Sequence, residues 1–200
     1  MIEINTRLVL ATTNLGKLKE LKTLFKDDKI ELATLRDFPD LTMPEETGLT
    51  FAENAQLKAR AVVEATGCWT LSDDSGLLVD ILNGAPGVYS ARYAGPQASD
   101  SENNRKLLQV LTNTPDDKRQ AAFVCVLVLA SPTHDEYLFT GECRGRIART
   151  AAGSQGFGYD PIFLPAPDYS RSMAQLTPEE KSEISHRGQA LRQLKLGLNP

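Results

Sequence analysis

Cys68-Trp69-Thr70-Leu71-Ser72-Asp73-Asp74-Ser75-Gly76-Leu77-Leu78-Val79-Asp80-Ile81-Leu82 sets two apolar runs on either side of a polar centre. The spacing predicts one short strand over residues 68–71 and another over 77–82. Between them, two adjacent carboxylates stand at a strand end, followed by Ser and Gly. Such a group suits a hard cation. Mg²⁺ takes oxygen ligands, keeps several waters, and uses one or two carboxylates together with substrate phosphates. Asp, Ser and Gly also build ordinary solvated turns, so the stretch alone leaves both readings open.

Working outward, the chain has 200 residues and a net charge of -4. That length suits one large domain or two small lobes with a real core. The acidic balance argues against an extended nucleic-acid footprint, which needs a basic face. Cys68, Cys125 and Cys143 are odd in number and lack metal-ligand spacing, so reduced thiols and a cytoplasmic location are expected. Residues 1–5 show no basic stretch leading into an apolar core, so no secretory signal is expected. No apolar run is long enough to span a bilayer, so no membrane partner is expected.

On the N-terminal side, residues 7–11 read as a buried strand. The polar stretch Thr12-Thr13-Asn14-Leu15-Gly16-Lys17 follows, and then Leu18, Leu21, Leu24 and Phe25 recur at helical spacing. A strand, polar loop and helix in that order present backbone N–H groups to the loop, where phosphate binds readily. Lys17 stands in the first turn, where the helix dipole disfavours a cation and a bound anion would reverse the sign. A plain surface lysine is the alternative. Residues 31–44 read as a strand and an irregular loop. Thr50 with Glu53 forms a capping box, and Gly67 ends the helix that it opens. On that helix Glu53, Gln56, Arg60 and Glu64 share one side, and Phe51, Ala55, Ala59 and Val62 the other. Lys58 falls in the middle of the apolar side. A buried, unpaired ammonium costs several kcal/mol. Lys58 therefore requires an acidic partner, an anionic ligand or a deprotonated state, unless its stem snorkels to water. Glu45 and Glu46 before the helix, and Asp73 and Asp74 after it, are the candidate partners.

On the C-terminal side, Ser99 and Glu102 open another helix. Asp116-Asp117 lies in a polar loop and reads as a solvated turn. Residues 121–130 are nearly all apolar and predict a central strand buried on both faces. Residues 136–140 and 142–148 extend the sheet as antiparallel partners, with His134 exposed in the turn before them. Gly153-Ser154-Gln155-Gly156-Phe157-Gly158-Tyr159-Asp160-Pro161 lets backbone approach a ligand closely. Phe157 and Tyr159 can stack on a flat ring, worth about 1–3 kcal/mol per base, and Asp160 can accept from ring N–H groups. The alternative is a glycine loop that sends two aromatics into the core. Thr177-Pro178-Glu179-Glu180 starts a helix with Lys181 one turn in, and Ser185-His186-Arg187-Gly188 starts a second. Together these parts describe a nucleotide polyphosphate site. Glu46, Asp73 and Asp74 are candidate Mg²⁺ ligands, Lys17, Lys58, Lys181 and Arg187 phosphate ligands, and Phe157 and Tyr159 a platform for the ring.

At these residues the chain resembles the inosine/xanthosine triphosphate pyrophosphatases, in their bacterial dITP/XTP form, along essentially its whole length. The resemblance is carried by Leu10-Ala11-Thr12-Thr13-Asn14-Leu15-Gly16-Lys17, Glu45-Glu46-Thr47-Gly48-Leu49-Thr50-Phe51, Glu53-Asn54-Ala55 with Lys58-Ala59, and Asp73-Asp74-Ser75-Gly76-Leu77. Further matches are Gly84-Ala85-Pro86-Gly87 with Tyr89-Ser90-Ala91-Arg92-Tyr93, Gly156-Phe157-Gly158-Tyr159-Asp160-Pro161, and Glu180-Lys181 with Ser185-His186-Arg187-Gly188. Thr13 departs from the pattern, which has Gly there; it adds a hydroxyl beside the phosphate loop and restricts its backbone.

The resemblance implies an α/β fold over residues 1–200, a single domain with an elongated mixed sheet, flanking helices and two lobes around a nucleotide cleft. It implies a homodimer that hydrolyses ITP, dITP and XTP to the monophosphate and pyrophosphate with Mg²⁺. Carried over by position, Thr12, Thr13, Asn14, Leu15, Gly16 and Lys17 bind the triphosphate, and Glu46 and Asp74 serve the metal. Asp74 is also the proton acceptor, and Ser75 touches substrate. Phe157, Gly158, Tyr159, Asp160, Lys181, His186 and Arg187 bind base and phosphates. Base choice is expected at the purine six-position, with Arg187 and backbone N–H groups near Phe157 as donors to a keto oxygen. Two rival readings are a pyrimidine nucleotide pyrophosphatase of related fold and a non-catalytic nucleotide sensor.

Overall fold

A computed structural model describes residues 7–25 and 30–198. The segment read above for a secretory signal, residues 1–5, lies outside the described residues. The strands are β1 (Arg7–Ala11), β2 (Glu31–Thr34), β3 (Trp69–Val79), β4 (Gln120–Ala130), β5 (Glu136–Ile147) and β6 (Phe163–Pro165). The helices are α1 (Leu15–Leu24), α2 (Phe51–Thr66), α3 (Asp100–Val110), α4 (Pro178–Ile184) and α5 (His186–Leu198). The strands form one sheet in the order β2-β1-β3-β4-β5-β6. β1 runs parallel to β2 and β3, while β5 and β6 are antiparallel, so the sheet is mixed.

Two expectations need correction. Residues 68–71 and 77–82 are not two strands flanking a turn. β3 is continuous through Ser72-Asp73-Asp74-Ser75-Gly76 and ends at Val79, and residues 80–82 form a 3-10 turn. Likewise the two segments read at 136–140 and 142–148 are one strand, Glu136–Ile147. For β3 the reason is burial. Ser72, Asp73, Asp74 and Gly76 are buried, and buried backbone polar groups need ladder partners that a solvated turn does not supply.

The chain divides into two compact units. The first holds everything described up to Asp74, Cys125–Gly141, and everything from Arg187 onward. Its core lies on both faces of β1. Leu8 and Leu10 pack with Leu21 and Phe25 of α1, Leu71, Cys125, Leu127, Leu129, and Ala190, Leu191 and Leu194 of α5. Val9 and Ala11 instead pack with Ala33 and with Val62 of α2. Alternate residues of a strand point to opposite faces, so a single apolar run feeds two helix layers.

The second unit is Ser75–Val124 with Glu142–His186. Leu77 and Val79 pack there with Leu107 and Leu111 of α3, Phe123, Ile147, Tyr159, Ile162, Phe163 and Met173. Arg119 is buried among them. Its guanidinium donates to the carbonyls of Leu111 (2.6 Å), Ile147 (2.8 Å) and Ala148 (2.8 Å). It thereby satisfies the C-terminal end of α3 and the end of β5, two places where backbone acceptors run out of partners.

Candidate active site

In the first unit, β3 sorts its side chains by parity. Leu71 lies on the α1/α5 side of the sheet. Asp73, two residues on, shares that side; Ser72 and Asp74 take the other, toward α2. Ser72 Oγ donates to the Ala55 carbonyl of α2 at 2.6 Å. The acidic doublet is therefore split between two environments.

On the α2 side, Lys58 is buried, as its place on the helix requires. Its ammonium reaches Glu46 Oε1 at 2.7 Å, the Asp73 carbonyl at 2.8 Å and Asp74 Oδ1 at 3.3 Å. Three acceptors match the three donors of an ammonium. Burial works against its charge, but Asp74, Glu46 and Asp73 outweigh it, and the Lys58 pKa is raised. For Asp74, burial dominates over Lys58 and Lys17, with Glu46 and Asp73 adding to the upward shift, so its carboxyl sits above the ordinary range. Asp74 Oδ2 is buried and lacks a hydrogen-bond partner among the described residues. Glu46 is held in register by the first turn of α2. Asn54 Oδ1 accepts from Gly48 N (2.7 Å), and Glu53 Oε2 from Leu49 N (2.6 Å) and Thr50 N (3.1 Å). Three consecutive amides of the loop carrying Glu46 are thus fixed.

On the α1/α5 side, Asp73 is fully buried. Lys17 Nζ lies 2.5 Å from its Oδ1 and Arg187 Nε 2.7 Å from its Oδ2. Cys125 Sγ donates to Oδ2 at 3.2 Å, and Arg187 also pairs with Glu20 of α1. Burial would raise the Asp73 pKa, but Arg187 and Lys17 hold it well below the carboxylate range. Two expectations change here. Asp73, expected as a metal ligand, turns its carboxylate to the opposite layer from Asp74, where it pairs with two cations. Arg187, expected as a donor toward a base, has its guanidinium buried against Asp73 and Glu20. Glu20 and Cys125 were not singled out in the sequence, where nothing distinguishes them from a surface acid and a core thiol.

The loop Thr12–Lys17 opens α1 as expected. Asn14 caps the helix, accepting from Lys17 N at 3.0 Å, and donates its own N–H to Thr12 Oγ1 at 3.2 Å. Thr13, Asn14 and Leu15 are exposed, and Gly16 and Lys17 half-buried.

In the second unit, Lys181 pairs with Asp160 Oδ2 at 2.6 Å and lies over the Phe157 ring, 4.8 Å from its centroid. Asp160 Oδ2 also accepts from Phe157 N at 2.9 Å. Phe157 is half-buried beneath its lysine. Tyr159 is only 4 % exposed, packs in the core and donates its hydroxyl to the Ser90 carbonyl at 2.8 Å. Of the two aromatics, Tyr159 is the one that the glycine loop sends into the core. His186 stacks on Phe123, with centroids 4.8 Å apart and planes at 12°. Ser75 is half-buried at the point where β3 passes into this unit.

The pair Glu46 and Asp74 fits a hard divalent cation. Both are carboxylates, one Asp74 oxygen has no hydrogen-bond partner among the described residues, and two carboxylates completed by ligand phosphates is an ordinary Mg²⁺ environment. Among the described residues, no group of three or more His, Cys, Asp or Glu side chains makes a self-sufficient metal site.

Residues 8–196 match the model of the Ham1 family. A dITP/XTP pyrophosphatase of Listeria monocytogenes is 49 % identical over 193 residues, covering 96 % of this chain and 95 % of the relative. One of Salmonella paratyphi A is 51 % identical over 190 residues, covering 94 % and 95 %. Among solved structures, a HAM1 protein from Coxiella burnetii superposes with a TM-score of 0.87 at 44 % identity, covering 96 % of this chain and 98 % of that one. A nucleoside-triphosphatase / dITP/XTP pyrophosphatase from Mycobacterium abscessus gives 0.78 at 45 % identity, covering 94 % and 98 %.

Proposed function

Since the chain belongs to the Ham1 family, we propose that it hydrolyses non-standard purine nucleoside triphosphates, ITP, dITP and XTP, to the monophosphate and pyrophosphate. The observation that carries this is the buried ammonium of Lys58 between Glu46 and Asp74, with one Asp74 oxygen unclaimed. That arrangement holds a proton acceptor next to a fixed positive charge, as hydrolysis of a phosphoanhydride requires.

In the reaction, water attacks the α-phosphorus, the bond from that phosphorus to the bridging oxygen breaks, and pyrophosphate leaves. Asp74 orients the attacking water and takes its proton. Burial raises the Asp74 pKa above the usual carboxylate value, which strengthens it as a general base. Lys58 offsets the charge that builds on the phosphoryl oxygens; fixed charges in a buried site need no reorganisation as the reaction proceeds. The exposed loop Thr12–Lys17 binds the triphosphate with its backbone N–H groups. Lys17 exchanges part of its Asp73 contact for phosphate. When bound by Glu46 and Asp74, Mg²⁺ supplies further neutralisation of phosphate charge. In the second unit, Phe157, Gly158, Asp160 and Lys181 hold the base, with Ser75 and His186 as further substrate contacts. Lys181 and the backbone N–H groups near Phe157 replace Arg187 as donors to the six-keto oxygen. Adenine, with an amino group there, leaves those donors unmatched, and buried unmatched polar groups discriminate strongly.

We further propose a single catalytic domain over residues 1–200, working as a cytoplasmic homodimer. The three cysteines are free thiols, which supports a reducing compartment. Light scattering of the purified protein tests the dimer. The activity is tested by a nucleotide panel of ITP, dITP, XTP, ATP, GTP and dTTP with Mg²⁺, with products followed by phosphorus NMR. Monophosphate plus pyrophosphate from the first three is expected. Orthophosphate as the first product, or dTTP as the preferred substrate, would rule the reading out.

A further inference from the structure

Gly158 stands in the loop that carries Phe157 and Asp160, at φ +60°. Both polar atoms of this residue are taken by one face of α3. Its N–H donates to Asp100 Oδ2 at 2.6 Å, and its carbonyl accepts from Asn104 Nδ2 at 3.0 Å. Asp100 and Asn104 are four residues apart and so lie one above the other on the helix. Asp100 opens α3, whose cap is the Ser99–Glu102 box. Asn104 is buried, and its Oδ1 has no hydrogen-bond partner among the described residues, so its side-chain hydrogen bonding there is the grip on Gly158. The next residue, Tyr159, is fixed by its hydroxyl on Ser90, and Asn103 holds the Ala91 carbonyl and Ala94 N–H. One helix turn therefore sets two loops.

We infer that Asp100 and Asn104 are positioning residues for base discrimination: by clamping Gly158 from both sides they fix where Phe157 and Asp160 stand. This rests on the reading that the loop holds the purine. Both residues grip the loop of the second unit, so loosening the clamp is expected to disturb recognition of the base and to spare recognition of the phosphates.

The test uses the full chain with Asn104→Ala, Asp100→Ala and Asp100→Asn. It measures kcat and KM for ITP and ATP, the inhibition constant of inorganic tripolyphosphate, and the thermal midpoint. Losing one anchoring hydrogen bond is expected to lower the ITP-to-ATP ratio of kcat/KM about tenfold, chiefly through a higher KM for ITP. Tripolyphosphate inhibition is expected to stay within about twofold. Asp100→Asn keeps an acceptor for Gly158 N–H and is expected to retain the parental ratio. If the Ala variants lose ITP, ATP and tripolyphosphate recognition equally, or keep the parental ratio, the inference is overturned. A parent chain with no preference for ITP over ATP overturns the functional reading as well, so the two failures are distinct.

Discussion

At Lys58 burial and charge pull in opposite directions, and the acids win. Lys58→Met keeps the length of the side chain and removes the ammonium, leaving Glu46 and Asp74 to face each other. Turnover of ITP is expected to fall by about a hundredfold or more, the scale at which an aligned charge matters in a buried site. Stability is expected to fall by roughly 3–5 kcal/mol, because an ion pair is broken from one side. Urea unfolding and steady-state kinetics of the one variant check both. A second residue gives a pH-dependent outcome. Burial, with Asp160 and Glu142 nearby, pushes the Cys143 thiol up from 9.0 to about 11. Both causes disfavour the thiolate, so in the folded protein alkylation of Cys143 is expected to stay slow at pH 8 and to accelerate only as pH approaches 11. Peptide mapping after iodoacetamide treatment checks this, and fast labelling of native Cys143 at pH 8 would contradict it.

At the scale of elements, β3 is where sequence and structure part company. Its polar centre carries the residues from which turns are made, and the sequence favours a break. Burial overrides that preference, and strand geometry then sends Asp73 and Asp74 to opposite helix layers. The helix ends, by contrast, were legible, because caps are local. Thr50 with Glu53, Ser99 with Glu102, and Thr177 with Pro178 each start a helix as read, and Gly67 ends α2 in the left-handed conformation. The amphipathic face of α2 was legible for the same reason, and with it the need of Lys58 for acids. The Asp73–Arg187 pair was not, since 114 residues separate its members and no local pattern connects them. Asp73→Asn tests the split. It leaves Arg187 and Lys17 without their shared counter-charge, and a loss of about 3–5 kcal/mol at neutral pH is expected. The sign with pH follows from the lowered pKa of Asp73. Its contribution is fully present above the unfolded value near 3.8 and is lost as pH falls through the folded value. The gap between parent and variant is therefore expected to close only in strong acid, as followed by denaturant unfolding across pH.

At the scale of the whole molecule, charge decides what the ligand must bring. The chain carries a net charge of -4, and the Glu46–Lys58–Asp74 cluster is itself net negative with both acids ionised. A nucleoside triphosphate adds several more negative charges. Lys17, Lys58 and Arg187 offset only part of that sum, because Lys17 and Arg187 are engaged by Asp73 and Lys58 by two acids. A divalent cation that enters with the phosphates is the simplest way to balance it, and it makes folding stability depend on metal and nucleotide jointly. A ligand that binds only the native state at a hundred times its dissociation constant adds about 2.7 kcal/mol. A non-hydrolysable ITP analogue together with Mg²⁺ is accordingly expected to raise the thermal midpoint by several degrees, and either component alone by much less. EDTA is expected to abolish both the shift and ITP turnover, with excess Mg²⁺ restoring them. In Glu46→Gln the joint shift is expected to shrink, since one of the two carboxylates that would hold the cation has lost its charge. An analogue that stabilises the parent equally well in EDTA would show that the charge is balanced by the protein itself, and Glu46 and Asp74 would then be acids without a metal to hold.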